Sequence, residues 1–97
     1  MVYFIAYIKK EKNEDIQPYQ EYIREVKPIV EKFGGRYIVR SDKILTLSET
    51  WNPERVIIIE WDSKEQLEQC FSSKEYCRIA GKRENSVESA AIIVEGL

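Results

Sequence analysis

The chain opens on Val2–Lys9, a stretch with apolar side chains at both its odd and its even positions. Arg55–Trp61 and Ser89–Glu95 show the same pattern, and the shorter Arg36–Arg40 also carries β-branched and aromatic residues. Residues of these types favour β-strands. A strand with water on one side alternates apolar and polar positions, so strands that are apolar on both faces are predicted to be covered on both.

A helical spacing separates the first two predicted strands. From Ile16 to Phe33 the apolar residues recur at intervals of three and four, which is typical of one face of a helix. Asp15 is predicted to cap the N-terminus of this helix, and Gly34 its C-terminus, where a left-handed backbone is common. Pro28 lies inside the pattern and lacks a backbone donor, so we expect one kinked helix rather than two.

Two shorter helices are predicted between the third and fourth strands. Ser63 and Gln66 have the spacing of a capping box, and Ser73 can cap a second helix. Lys43–Ser48, between the second and third strands, is predicted as a further short extended segment.

The order of these elements is strand, helix, strand, strand, helix pair, strand. This is the order of the ferredoxin-like β-α-β-β-α-β sandwich, an α+β fold whose helices cover one face of a four-stranded antiparallel sheet. The other face of such a sheet is bare. Because the strands are apolar on both sides, the sequence predicts a homodimer in which a second copy covers that face.

Composition narrows the class of protein. At 97 residues, with 43% apolar and 33% charged residues, residues 1–97 are expected to form a single globular domain. The net charge of −2 and the lack of a basic run argue against nucleic acid as a partner. Apolar stretches are far shorter than the ~18 residues of a membrane span. The N-terminus lacks a signal-peptide pattern, so we expect a cytoplasmic protein without a membrane partner.

Histidine is absent from the chain, which removes the commonest general base. Cys70 and Cys77 could form a disulfide or hold a metal, but a zinc site normally needs four ligands. We therefore interpret them as partly buried helical residues and expect neither a metal nor a cofactor. Lys82-Arg83 is interpreted as solvated surface charge.

Glu60 interrupts an otherwise apolar strand, where a carboxylate must be paired, protonated or at the sheet edge. Arg36 and Arg40 are an even number of residues apart on one strand, so we expect them to share a face and one of them to meet Glu60. Two interpretations follow. Glu60, Arg36 and Arg40 either bind a small anion in a pocket, or form an ion pair that stabilises the hairpin or the dimer.

Four further residues are candidates for a site. Tyr19 lies on the helical stripe predicted to face the sheet, where its hydroxyl could donate to a ligand or simply belong to the core. Trp51 could line a pocket or cover the dimer seam. Arg55 and Glu49 flank Trp51 and could be either partners of the arginines or exposed charges.

Several segments resemble the family called domain of unknown function 1330. They are Phe33–Arg40 (FGGRYIVR), Glu49–Trp61 (ETWNPERVIIIEW) and Ser73–Tyr76 (SKEY), and the likeness extends over nearly the whole chain. The resemblance implies the dimeric α+β barrel superfamily, in which ferredoxin-like protomers pair their sheets. It does not imply a function, because that superfamily includes cofactor-independent monooxygenases, haem enzymes, isomerases and ligand-binding modules. Its haem enzymes generally use a histidine ligand, so haem is not expected.

Three functions are compatible with the sequence. The first is a homodimeric domain that binds a small anionic or carboxylate-bearing molecule in a pocket lined by Tyr19, Arg36, Arg40 and Glu60. The second is a cofactor-independent enzyme, monooxygenase-like or isomerase-like, that acts on a small carbonyl or aromatic compound with Glu60 or Tyr19 as acid or base. The third is a purely structural subunit of a dimer.

Overall fold

The computed structural model describes residues 1–11 and 17–97, so the predicted cap Asp15 and the helical position Ile16 lie outside the described residues. The strands and helices of the described chain are β1 (Val2–Glu11), α1 (Gln17–Lys32), β2 (Arg36–Ser41), β3 (Arg55–Trp61), α2 (Lys64–Phe71), α3 (Lys74–Glu84) and β4 (Val87–Glu95). Within these residues the structure has no helix with the length and apolarity that a membrane crossing requires.

The four described strands form one sheet in the order β2-β3-β1-β4, with every neighbouring pair antiparallel. The predicted ferredoxin-like α+β architecture is confirmed. The segment Lys43–Ser48, predicted as extended, is described but forms no strand. Its Leu45 and Leu47 are 87% and 94% exposed, and none of the described strands pairs with this segment.

The helix ends follow the predicted chemistry. Helix α1 runs through Pro28 as one helix, and Gly34 has the expected positive φ of 95° just beyond it. The Ser63 and Ser73 hydroxyls accept hydrogen bonds from backbone N–H groups three residues on, at 3.3 and 3.1 Å. The side-chain oxygen of Gln66 is buried without a partner among the described residues, so the reciprocal half of the capping box does not form.

One face of the sheet packs against the helices and forms the core. Phe4, Ala6 and Ile8 of β1 lie on this face, beside Ile57 and Ile59 of β3. Core residues from the helices and from the end of β3 complete it, among them Val26, Val30, Trp61, Leu67, Cys70 and Ile79. Cys70 is fully buried, and this burial raises the pKa of its thiol to about 11, while Cys77 is exposed.

The opposite face of the sheet, which we call the open face, has no helix against it in the described chain. Tyr3, Ile5 and Tyr7 of β1 point to it, and the register places Ile58 of β3 and Ile92 of β4 on either side of Ile5. Ile92 is 56% exposed. Both faces of the sheet are therefore apolar, as predicted, but the described helices cover only one.

A β-bulge in β2 changes which way its side chains point. Tyr37 pairs with Ile59 and Val39 pairs with Ile58, so two steps along β2 match one step along β3, and Ile38 is the extra residue. A bulge of this kind shifts the alternation of the strand by one position. The prediction that Arg36 and Arg40 share a face is therefore wrong. Their even spacing would place them together only in a regular strand.

Close packing where α1 meets β3 yields a test of the fold. A Cβ added at Gly35 would lie 2.5 Å from Val30 Cγ1 and 2.9 Å from the Trp61 ring, and both of these side chains are fully buried. We expect Gly35→Ala to lower the free energy of unfolding by about 1–3 kcal/mol, as overpacking does. Urea denaturation monitored by circular dichroism measures this loss.

Gly81→Ala is the matched control. A Cβ at Gly81, inside α3, meets only Asn85 Nδ2, at 3.8 Å. Alanine suits a helix interior better than glycine, so this variant should gain about 0.5–1 kcal/mol. A Gly35→Ala protein as stable as the wild type would show that the contact between α1 and β3 is looser than described.

Candidate functional site

A cavity of about 360 Å³ lies between the helices and the sheet face that they cover. Apolar side chains from all four strands form its floor: Phe4, Ala6, Ile8, Tyr37, Ile57, Ile59, Ala91 and Ile93. Helices α1, α2 and α3 form its roof, with Tyr22, Val26, Leu67 and Tyr76 among the contributors. Its volume and apolar lining are those of a small-molecule site.

Four tyrosines, Tyr19, Tyr22, Tyr37 and Tyr76, are among the residues that line this cavity. Tyr22 and Tyr76 share a hydrogen bond of 3.1 Å between their hydroxyls, and the ring of Tyr19 stacks on that of Tyr22. Burial raises the pKa of Tyr22 well above its usual value and that of Tyr37 to about 12, although Arg40 acts in the opposite direction on Tyr37. Both phenols are therefore protonated near neutral pH and can donate hydrogen bonds.

Arg40 and Arg83 are the charged residues among the described ones that line the cavity, and no carboxylate lines it there. Arg83 Nη1 donates to Ser89 Oγ at 3.1 Å, and Arg83 Nη2 lies 3.7 Å from Glu84 Oε1. Its Nε is buried without a hydrogen-bond partner among the described residues. A buried donor left unpaired costs roughly 1–3 kcal/mol, so an acceptor in the cavity would be stabilised here.

Sequence reasoning missed Arg83, because Lys82-Arg83 was interpreted as a solvated pair. A helical signal was present: Arg83 follows Tyr76 and Ile79 by seven and four residues, and both of those are buried on α3. Residues at these intervals share a helix face. Lys82 pairs with Glu25 at 2.8 Å outside the cavity.

The structure separates the four residues predicted to line one pocket. Tyr19 and Arg40 line the cavity, whereas Arg36 and Glu60 are paired strand neighbours on the open face. There Arg36 Nε donates to Glu60 Oε1 at 3.0 Å, and the Tyr3 hydroxyl donates to Glu60 Oε2 at 3.0 Å. An arginine does meet Glu60 across the hairpin, on the side of the sheet away from the cavity.

One guanidinium faces two carboxylates in this open-face cluster. Arg36 Nη2 also donates to Asp62 Oδ1 at 2.9 Å, and these bonds to Asp62 and Glu60 raise the pKa of the guanidinium. The hydrogen bond to Glu60 likewise raises the pKa of Tyr3. The described contacts of Glu60 thus join two neighbouring strands, β1 and β2, to β3.

The remaining candidates lie elsewhere. Trp51 is exposed and packs edge-on against the Tyr7 ring, 5.7 Å between ring centres, at the open face rather than in the cavity. Arg55 lines a separate, shallow depression beside α1, with Gln17, Gln20, Ile23 and Arg24. Glu49 is exposed in the connection between β2 and β3.

Comparison with known proteins agrees with this architecture. The family model described as a domain of unknown function (DUF1330) matches residues 1–97. A protein of unknown function from Rhodopseudomonas palustris has a similar crystal structure, with a TM-score of 0.81 and 19% identity over 99% of this chain and 82% of that one. No functionally curated protein matches the sequence.

Two enzymes share the fold at lower identity. An antibiotic biosynthesis monooxygenase superposes with a TM-score of 0.67 and 15% identity over 100% of this chain and 99% of that one. The cofactor-independent oxygenase SnoaB from Streptomyces nogalater gives a TM-score of 0.71 and 9% identity, over 99% of this chain and 92% of that one. At these identities the likeness is one of fold.

Proposed function

The chain belongs to the DUF1330 family, a domain of unknown function, and on this premise we propose that it is a binding domain for a small, mostly apolar molecule that carries an acidic group. The observation that carries the proposal is the charge of the cavity. Its described lining is aromatic and aliphatic apart from hydroxyl groups and two arginines, Arg40 and Arg83, and no carboxylate is part of that lining. Glu84, 3.7 Å from Arg83 Nη2, is largely exposed outside it.

An acidic ligand suits such a lining for two reasons. Apolar walls stabilise an apolar body by about 25 cal/mol for each Å² removed from water. A guanidinium beside those walls binds a carboxylate with charge-assisted hydrogen bonds, which are about twice as strong as neutral ones. Protonated tyrosines such as Tyr22 and Tyr37 add donors rather than acceptors. The same lining disfavours cations, because they would meet two like charges.

The proposal also includes a homodimer formed through the open face. The broad side of the described chain measures 34 by 33 Å, an area larger than the ~800 Å² that each partner of a stable complex buries. Ile5, Ile58 and Ile92 form an apolar row across three strands of that face. A second copy presents the same row, so a two-fold axis through it pairs like with like.

A cofactor-independent enzyme is the second candidate, and two observations favour it. The fold is shared with the oxygenase SnoaB, and four tyrosines line the cavity. Of the two acid or base candidates predicted from the sequence, Tyr19 lines the cavity and Glu60 does not. Catalysis there would therefore use Tyr19 or the Tyr22–Tyr76 pair. Incubation of the protein with an aromatic ligand in air distinguishes the two candidates. An enzyme would convert the ligand to a product, whereas a binding domain would leave the ligand unchanged.

Binding of naphthoate, an apolar body with one carboxylate, tests the ligand class. Isothermal titration calorimetry should show that Arg83→Gln weakens binding roughly tenfold or more, because a hydrogen bond to a charged group contributes about 1.5–3 kcal/mol. The neutral naphthamide should bind the wild type more weakly than naphthoate. Equal affinity for the acid and the amide would contradict the proposal.

Arg36→Gln is the matched control for that titration. It removes the same charge from the open face, where Arg36 contacts Glu60 and Asp62 rather than the cavity. Its affinity for naphthoate should equal that of the wild type. A loss as large as that of Arg83→Gln would mean that the two arginines act through net charge alone.

Sedimentation velocity tests the dimer. Wild-type protein should sediment as a dimer, and Ile58→Glu should sediment as a monomer, because two carboxylates would be buried near the two-fold axis. Lys27→Glu, on the exposed side of α1, is the control and should remain dimeric. Retained naphthoate binding by Ile58→Glu would show that the variant is folded. A monomeric wild type, or a dimeric Ile58→Glu, would overturn this part of the proposal.

A further inference from the structure

The two cations of the cavity lie toward opposite edges of the sheet. Arg40 is on β2, and the Arg83 guanidinium is bound to Ser89 of β4; these are the two outer strands of the order β2-β3-β1-β4. Adjacent strands are about 4.8 Å apart, so the two outer strands are separated by roughly 14 Å. One small acidic group cannot contact both arginines at that separation unless the side chains converge.

The floor between the two arginines is apolar and contains small residues. Arg40 pairs with Ile57, which is followed across the sheet by Ala6 and then Ala91. All four residues line the cavity. Because alanine side chains are short, the cavity continues between the two edge strands as a slot with an apolar middle.

The guanidinium groups of Arg40 and Arg83 can each still bind an anion. Arg40 lies over the Tyr37 ring, 5.1 Å from its centre to the guanidinium carbon, and makes no ion pair within the described part of the chain. Arg83 Nε has no acceptor among the described residues, and the carboxylate nearest to its Nη2, that of Glu84, is at 3.7 Å and largely exposed. A ligand with a single acidic group would use only one of these two guanidinium groups.

We infer that the ligand is an elongated acid with an apolar middle and an acidic group at each end, one bound by Arg40 and the other by Arg83. This inference rests on the proposed function and names the ligand class of the same cavity. Arg83 is held by Ser89 and offers Nε, while Arg40 is held against Tyr37. The two ends of the ligand therefore meet arginines fixed on different elements, α3 and β2.

Pairs of rigid acids with the same body test the inference by calorimetry. Benzoate is compared with terephthalate, and biphenyl monocarboxylate with the biphenyl dicarboxylate whose acids are at its far ends. One dicarboxylate whose length fits the slot should bind the wild type about tenfold more tightly than its monocarboxylate, because it makes a second charge-assisted contact. Arg40→Gln and Arg83→Gln should each abolish that advantage, whereas Arg36→Gln should keep it.

The outcomes separate this inference from the proposed function. If monocarboxylates bind and no dicarboxylate of either length has an advantage, the two-ended ligand is wrong and the binding of acids stands. If only one of the two cavity arginines affects the advantage, the second acid does not reach the other arginine, and the inference is equally overturned. If none of these acids binds, the proposed function falls together with the inference.

Discussion

The four-stranded sheet carries apolar side chains on both of its faces, and the three described helices lie against only one face. The covered face contributes to the core. It also forms the floor of the cavity, which lies between Ala6 and Ala91 of the sheet and the helices α1 and α3. The uncovered face keeps Ile5, Ile58 and Ile92 in a row at the surface. A small domain buries a modest share of its surface when it folds, so a second copy on that face would add burial that one protomer cannot supply.

The bulge at Ile38 assigns the polar residues to these two faces. Before the bulge, Arg36 points to the open face and is neutralised by Glu60 and Asp62. After the bulge, Arg40 points to the cavity, and no carboxylate is among the described residues that line it. A regular β2 would place both arginines on one side. One extra residue thus separates an ion-paired cluster on the open face from the arginine-lined cavity.

Much of the fold could be predicted from the sequence, because it depends on local patterns. Apolar residues recur at every second position in strands and at every third or fourth position in helices. These spacings, the N-cap at Ser73 and the left-handed conformation of Gly34 each depend on only a few neighbouring residues. The bulge could not be predicted, since Ile38 and Val39 are both apolar and either can occupy a regular strand position. The helical spacing from Tyr76 to Arg83 indicates that Arg83 faces the cavity. The neighbouring Lys82, however, makes Lys82-Arg83 resemble a pair of solvated surface charges.

We propose that the two faces of the sheet have separate tasks, with a ligand bound on the helix side and a second copy on the other. Ile57, Ile58 and Ile59 test it directly, because consecutive residues of β3 point to alternate faces. Nuclear Overhauser effects can be measured between naphthoate and the methyl groups of isoleucine-labelled protein. We expect contacts from the ligand to Ile57 and Ile59 and none to Ile58. Contacts to Ile58 without contacts to its two neighbours would contradict it.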